Sequence, residues 1–470
     1  MQGTFAMAPK FGTSGLRGLV TELTDDLCAT YTRAFVRACG PAVSLLVGRD
    51  LRPSSPRIAN AVATAALELG VDVIDCGKLS TPALAAESLR LSLPAIMVTG
   101  SHIPADRNGL KFYSATGEIT KADEEAIIVF AQTDSVPVVG ISATRRTDTT
   151  AAQRYLDRYL SFLPSNALAG HTIGVYQHSC VARDLLVDLV QCLGATAIPL
   201  GRSDYFIPVD TEAVDEETRQ QLRAWAAASP LDAIISADGD ADRPLVTDAS
   251  GEVISGDILD TLTAIALGAD TVVTPVSSNT MVEATGAFHK IVRTRIGSPY
   301  VIAAMEQALT VPCKPVGFEA NGGFLLGFDV TQNGQTLSRL MTRDAVLPIV
   351  SVLSTAARGK TTLANLVSDL PARRTATDRL EHVPTERSAA LVKQLTEDAT
   401  ARAAFFSGFG TETALDLTDG LRVTFASGLI LHVRPSGNAP ELRGYAEAST
   451  DTAARHALAD LLSRLRQRIG

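Results

Sequence analysis

The stretch Ala233-Ile-Ile-Ser-Ala237-Asp238-Gly-Asp240-Ala-Asp242-Arg243-Pro244 is a short apolar run that breaks into a tight acidic loop. With helical sequence on either side, such a run reads as the strand of a β/α unit. The pattern recurs at Val71–Asp75, Leu93–Thr99, Ile173–Tyr176, Thr271–Val276 and Pro315–Phe318. Ser54-Ser55-Pro56 opens an Ala-rich segment that Gly70 closes, which predicts a helix with Pro near its start and a Gly cap.

The predicted strands run into polar, Gly-rich or acidic loops: Val47-Gly-Arg-Asp50, Thr99-Gly-Ser101-His102, the Asp238 loop, Pro275-Val-Ser-Ser-Asn279 and Gly317-Phe-Glu319-Ala-Asn321-Gly-Gly323. Chemistry in open α/β sheets collects at the carboxyl ends of strands, where loops converge on one crevice. The expected fold is α/β: three related mixed α/β domains followed by a C-terminal α+β domain, arranged around a central cleft. The last unit is marked by a change of period. Leu421, Val423 and Phe425 alternate with polar residues, as do Leu429, Leu431 and Val433 beyond Ser427-Gly428, and Thr450–Ile469 reads as a helix. The boundaries are drawn at 1–150, 151–256, 257–370 and 371–470, with a seam at Thr133–Thr150 and a polar connection at Pro371–Asp378.

Length agrees: 470 residues at ~100–200 per domain make three or four domains. The balance of 42 basic against 51 acidic residues, with no basic block, gives no nucleic-acid or anionic-membrane surface. Cys28, Cys39, Cys76, Cys180, Cys192 and Cys313 form no CxxC pair or regular spacing, which fits single thiols in a reducing compartment. No run reaches the ~18 apolar residues of a membrane span, and Met1–Lys10 has no signal-peptide character, so the expected location is cytoplasmic.

Four motifs carry chemistry. Asp238, Asp240 and Asp242 alternate on a tight loop and can turn inward together, but their repulsion demands a cation. Oxygen ligands suit Mg²⁺, which keeps positions for phosphate oxygens. A calcium loop would need Gly and Glu where Arg243 and Ala249 stand. In Val98-Thr-Gly-Ser101-His102-Ile-Pro-Ala-Asp-Arg-Asn-Gly-Leu-Lys111, a Ser on a strand-end turn has basic neighbours suited to a nucleophile, while the Gly-x-Ser-x-Gly elbow of a hydrolase is absent. Arg434-Pro-Ser436-Gly437-Asn438-Ala-Pro-Glu-Leu-Arg443 offers two guanidinium groups, a hydroxyl, an amide and backbone N–H groups as a phosphate nest. Lys10-Phe-Gly-Thr-Ser-Gly-Leu-Arg17-Gly is a Gly-rich loop presenting one Arg.

In this order and spacing the four motifs resemble the α-D-phosphohexomutase superfamily, over essentially the whole chain. The resemblance implies a four-domain phosphohexomutase that interconverts hexose 1-phosphate and hexose 6-phosphate through a hexose 1,6-bisphosphate. It implies Ser101 as phosphoserine and metal ligand, Asp238, Asp240 and Asp242 as Mg²⁺ ligands, and Arg17, His102 and Arg243 around the transferring group. Lys111 would be the general acid/base, Glu319 and Asn321 the sugar readers, and Arg434, Ser436, Gly437, Asn438 and Arg443 the grip on the distal phosphate.

Two departures, Phe318 with Asn321 in the sugar loop and Ser298 in Arg293-Thr-Arg-Ile-Gly-Ser298, fall where relatives read the sugar. Mannose phosphate is favoured, with glucose phosphate also used. Phosphoglucosamine mutase, an aspartyl-phosphate phosphotransferase built on Asp238, and a non-catalytic sugar-phosphate-binding protein are the alternatives. The partners implied are hexose phosphates, in a monomer or homodimer. The formal charges balance: three aspartates, Mg²⁺, a phosphoserine of about −2 and a substrate of about −2 meet five cations in Arg17, Arg243, Lys111, Arg434 and Arg443.

Overall fold

The computed structural model describes residues 10–12, 15–40, 44–133, 142–436 and 440–469. Its first three sheets repeat one arrangement. Each has three parallel strands in the spatial order second, first, third, and the third strand then turns back into an antiparallel fourth. In the first sheet these are Asp72–Lys78, Ser44–Arg49 and Ala95–Val98, followed by antiparallel Arg107–Ser114. In the second they are Thr196–Arg202, Thr172–His178 and Ala233–Ala237, then Pro244–Thr247. In the third they are Lys290–Thr294, Thr271–Pro275 and Pro315–Phe318, then Phe324–Leu326. The turn between third and fourth strands is the Ser101 loop in the first sheet, the Asp238 loop in the second and the Glu319 loop in the third. Three repeats of one topology therefore present three loops at equivalent carboxyl-end positions.

Apolar packing binds these sheets together. One buried cluster runs from Leu46 and Met97 through Tyr159, Ile173 and Ile235 to Val272, Phe318 and Val350, so the first three sheets share a core. Polar contacts register them further: Tyr155 Oη donates to Asp344 Oδ1 at 2.5 Å, Thr211 Oγ1 to the Asn321 carbonyl at 2.9 Å, and Thr342 Oγ1 to Glu118 Oε1 at 2.9 Å. The helix Gly256–Leu267 begins directly behind the Glu319 loop.

The fourth sheet is wholly antiparallel, ordered Arg374–Leu380, Leu442–Ala448, Ile430–Pro435, Leu421–Phe425, Glu412–Asp416, and is packed by the helix Asp451–Ile469. Its apolar cluster, centred on Leu421, Leu431 and Leu461, is its own. Contacts to the third sheet are polar: Asn279 Nδ2 donates to Thr375 Oγ1 at 3.0 Å, and the Thr280 N–H to Glu447 Oε2 at 3.1 Å.

The sequence expectation of a polar connection over Pro371–Asp378 needs correction. Arg374–Leu380 is an edge strand paired along Leu442–Ala448, its alternation hidden because most of its side chains are half-buried or exposed. Within Thr133–Thr150, Arg145–Thr147 forms a strand beside Asp72–Lys78, and 134–141 lie outside the described residues.

Gly256 is the position where the helix start meets the Glu319 loop. A Cβ there would collide with the Gly322 nitrogen and lie 2.6 Å from the Ala320 carbonyl oxygen. Gly256→Ala is expected to lose about 1–3 kcal/mol of stability by overpacking. Urea denaturation checks this: a midpoint equal to wild type would mean the loop yields freely.

Candidate active site

The Ser101 loop follows the buried strand Ala95–Val98. Ser101 is fully buried and has φ +54°, a left-handed backbone that non-glycine residues rarely adopt. Its N–H donates to Thr99 Oγ1 at 2.8 Å, and its own Oγ donates to Asp238 Oδ2 at 2.6 Å. The predicted nucleophile and the predicted metal loop, 137 residues apart, are thus in contact.

Asp238, Asp240 and Asp242 are all completely buried, with one oxygen of each within 4.8 Å of the others. At an effective dielectric of ~20, each like-charged pair at that spacing repels by at least about 3 kcal/mol. Part of this is offset by the protein. Lys111 Nζ bridges Asp240 Oδ2 at 2.5 Å and Asp242 Oδ2 at 2.6 Å. Arg343 Nη2 reaches Asp242 Oδ2 at 2.9 Å. Thr81, opening the helix Thr81–Leu91, donates its hydroxyl to Asp240 Oδ2 at 2.5 Å and its N–H to the Asp240 carbonyl at 2.9 Å, so a positive helix end faces the loop.

Titration reflects this field. Burial opposes ionisation of Asp242, but Arg343, Lys111 and Arg243 hold it well below the usual carboxylate range. Asp238 is pushed well above that range by burial and then by Asp240 and Asp242. Asp240 Oδ1 and Asp242 Oδ1 are buried and have no hydrogen-bond partner among the described residues. Two buried carboxylate oxygens without a hydrogen bond, Asp242 Oδ1 having only Arg243 Nε at 3.7 Å, lie beside a third carboxylate and make a donor set that a hard cation fits.

Arg243 and Arg17 act on His102. Arg243 Nη1 lies 2.9 Å from His102 Nδ1. A guanidinium can only donate, so Nδ1 accepts and the His102 proton sits on Nε2. Burial, with Arg243 and Arg17, keeps His102 well below its ordinary pKa, hence neutral at pH 7. Burial, then Arg243 and Arg343, lowers Arg17 to about 10.

In the third loop Glu319 Oε2 is 3.4 Å from Arg343 Nη1, and Asn321 Oδ1 accepts the Gly323 N–H at 3.0 Å. Phe318 and Ser298, expected beside the sugar, have other occupations. Phe318 is a fully buried core residue stacked on Phe324 at 6.4 Å. Ser298 is fully buried and bonds Glu118 Oε2 at 3.1 Å. Phe318 ends a strand buried along its whole length, and Ser298 opens the helix Ser298–Ala308, placements that a motif comparison does not register.

In the fourth unit, Arg434 and Arg443 stand opposite each other on paired strands, beside buried Ser436. Gly437 and Asn438 lie outside the described residues. Arg434 Nε is 3.5 Å from Asp419 Oδ1, whose Oδ2 accepts the Ile296 N–H at 3.0 Å, tying this unit to the third sheet.

The sequence reading missed Arg343, Thr81 and Glu212. Each depends on another segment for its partner; only the polar run Val209-Asp-Thr-Glu212 hinted at a loop. Glu212 is the second unit's contribution to the field around Arg443.

Three family models match in succession: Phosphoglucomutase/phosphomannomutase, alpha/beta/alpha domain I, over residues 8–135; alpha/beta/alpha domain III over 254–373; and the C-terminal domain over 380–464. The chain belongs to this family. It is 46% identical to a phosphomannomutase of Sinorhizobium fredii, covering 98% of this chain and 99% of the relative. It is 44% identical to a phosphomannomutase of Salmonella muenchen, covering 98% and 96%. The fold matches a crystal structure of a phosphoglucomutase/phosphomannomutase family protein from Burkholderia thailandensis with a TM-score of 0.78 at 21% identity, covering 97% and 96%. The chain is thus an enzyme, a phosphohexomutase of the α-D-phosphohexomutase superfamily. Among the described residues no helix is long and apolar enough to cross a membrane.

Glu212 supplies a pH test. Burial, then Asp210, raises it from its ordinary 4.5 to about 7. The folded state therefore keeps a proton that the unfolded chain releases, a stabilising contribution present below pH 4.5 and lost as pH rises through 7. Glu212→Gln mimics the protonated form. It is expected to match wild type near pH 4.5 and exceed it by about 1–2 kcal/mol at pH 8, allowing for partial exposure. Denaturation midpoints across that range check it; an equal difference at both ends would mean folding does not shift the Glu212 proton.

Proposed function

We propose that this phosphohexomutase interconverts hexose 1-phosphate and hexose 6-phosphate, with mannose favoured and glucose also used, by way of a phosphoryl group carried on Ser101 Oγ. The observation that carries the proposal is the Ser101 hydroxyl, completely buried and 2.6 Å from Asp238, with Arg243, His102 and Lys111 around the same loops. The units are taken as 1–150, 151–256, 257–370 and 371–470, each contributing one loop.

The phosphoryl group on Oγ passes to the free hydroxyl of a hexose monophosphate: the P–Oγ bond breaks as the new P–O bond forms. The bisphosphate turns around, and its other phosphoryl group returns to Ser101. Lys111, between two carboxylates, is assigned the exchange of the sugar hydroxyl's proton. Arg17 and Arg243 meet the charge on the transferring oxygens, where positioned cations count most in phosphoryl transfer. Neutral His102, its Nδ1 engaged by Arg243, keeps Nε2–H as a donor. Asp238, Asp240, Asp242 and the Ser101 phosphate would hold Mg²⁺, which neutralises phosphate charge there. Glu319 and Asn321 would read the sugar. Arg434, Ser436, Gly437, Asn438 and Arg443 would grip the distal phosphate. A fourth unit with its own core and polar seams can swing to close the cleft and exclude water. We place the enzyme in the cytoplasm, where six unpaired thiols stay reduced.

Ser101→Ala is expected to abolish turnover while sugar-phosphate binding persists. A coupled mutase assay with calorimetric binding decides it. Retention of more than about a tenth of the rate, a barrier change of only ~1.4 kcal/mol, would sink the role of Ser101.

Sugar choice gives a second test. Glu319 and Asn321 are assigned to O3 and O4, which are equatorial in both glucose and mannose. With Phe318 in the core, C2 gains no reader from that side chain. Mannose 1-phosphate and glucose 1-phosphate should have kcat/KM values within about 100-fold, or ~2.7 kcal/mol. Steady-state kinetics check it; selection beyond about a thousandfold would place a C2 reader elsewhere.

A further inference from the structure

Arg52 belongs to none of the loops assigned above, yet it is 1% exposed and among the largest fully buried side chains. Its guanidinium carries five N–H donors, and each has a partner. Nη1 donates to the carbonyls of Pro104 at 2.6 Å and Arg107 at 2.9 Å. Nη2 donates to the carbonyls of Ser101 at 2.8 Å and Ile103 at 2.5 Å. Nε donates to Asp50 Oδ2 at 3.2 Å. No donor remains for a phosphate, which separates Arg52 from Arg17, Arg243, Arg434 and Arg443.

The four carbonyls run from the serine itself to the start of the return strand, so one rigid fork ties both limbs of the loop together. The anchor is equally constrained. Asp50 Oδ1 accepts the Arg52 N–H at 3.0 Å and Ser55 Oγ at 2.6 Å, and Oδ2 accepts Thr99 Oγ1 at 2.7 Å. Thr99 Oγ1 in turn accepts the Ser101 N–H at 2.8 Å. Ser101 is therefore held through its carbonyl by Arg52 and through its N–H by the chain leading back to Asp50. The guanidinium also lies over the Phe206 ring at 3.9 Å, and a Cβ at Gly239 would lie 2.9 Å from that same ring. Phe206 thus sits against both the arginine under the serine loop and the backbone of the aspartate loop. Gly100 permits this: a Cβ there would meet the Arg52 guanidinium at 2.6 Å.

We propose that Arg52 is a positioning residue for phosphoryl transfer, fixing the loop carbonyls so that Ser101 keeps its left-handed backbone and presents Oγ to the Asp238 loop. This rests on the assignment of Ser101 as phosphoryl carrier. Lysine at this position keeps the charge but has three donors on a point, and cannot reproduce a planar five-donor fork.

The test is Arg52→Lys, assayed with hexose 1-phosphate and normalised to the folded fraction measured by sugar-phosphate binding stoichiometry. The expected result is a fall in kcat of about 100-fold with KM within about threefold, because misplacement costs the transition state rather than ground-state binding. A second readout follows the enzyme loaded with phosphate from glucose 1,6-bisphosphate. Water can attack phosphorus and break the P–Oγ bond, releasing inorganic phosphate and the Ser101 hydroxyl. The ratio of this hydrolysis to transfer onto sugar should rise about tenfold, a partition that simple loss of stability does not move. Where Arg52→Lys does not fold, Asp50→Asn keeps the guanidinium and loosens its anchor, with the same kcat-selective loss expected at about tenfold. A folded variant with kcat within about threefold of wild type, or activity falling only with the folded fraction, overturns the proposal. An active Ser101→Ala would instead overturn the carrier assignment beneath it, whereas an inactive Ser101→Ala beside an active Arg52→Lys overturns the Arg52 role alone.

Discussion

Three aspartates that repel one another at a fully buried point govern the site. Water cannot screen them there, so the fold brings in compensation from far along the chain. Lys111 arrives from the first sheet, Arg343 from the third, and the start of the helix Thr81–Leu91 from the first. Removing a buried partner leaves a charge uncompensated, typically at about 3–5 kcal/mol. The first three units are therefore bound to each other by this electrostatic need as well as by their shared apolar core. Even so, Asp240 Oδ1 and Asp242 Oδ1 have no hydrogen-bond partner among the described residues, which leaves two oxygen donors for a cation.

Topology makes that convergence repeatable. In each of the three sheets the third parallel strand ends in a turn that reverses direction, and the turn carries residues proposed for the site. A loop pinned between two hydrogen-bonded strands has little freedom, so side chains on it hold their positions without help from substrate. The fourth unit is built otherwise, with a separate apolar core and polar seams at Asn279, Thr280 and Ile296. Polar seams exchange their partners with water at small net cost, since a typical hydrogen bond nets only about 1 kcal/mol. The molecule thus combines a tightly packed three-unit block with a more loosely attached fourth.

Much of this was legible in the sequence because the signals were local. The strand Ala233–Ala237, the hairpin around Gly428 and the helix Asp451–Ile469 follow from periodicity and turn chemistry within a few residues. The alternating carboxylates were legible for the same reason. Residues whose work depends on contacts between distant segments were not. Arg343 is one charged residue in a strand until the fold puts Asp242 beside it, and Glu212 is one acid until Arg443 faces it. Phe318 misled in the opposite sense. It lies in the motif where relatives read the sugar, while the fully buried strand Pro315–Phe318 puts it in the core against Phe324.

The strained backbone at Ser101 joins these levels. A left-handed conformation at a non-glycine residue costs on the order of 1–2 kcal/mol and persists only where surroundings over-determine it. Here they do: the N–H, the carbonyl and the hydroxyl of one residue are each claimed by a different buried group. Relaxing the strain would break at least one of those bonds inside a dry site, where an unmade bond costs about 1–3 kcal/mol. One lost bond costs as much as the strain and three hold the residue, so the backbone stays left-handed with the hydroxyl on Asp238. A loop that instead depended on substrate for its shape would draw its ordering cost from binding, leaving less for the transition state. Preorganisation at Ser101 thus follows from hydrogen-bond satisfaction, the same constraint that shapes the rest of the interior.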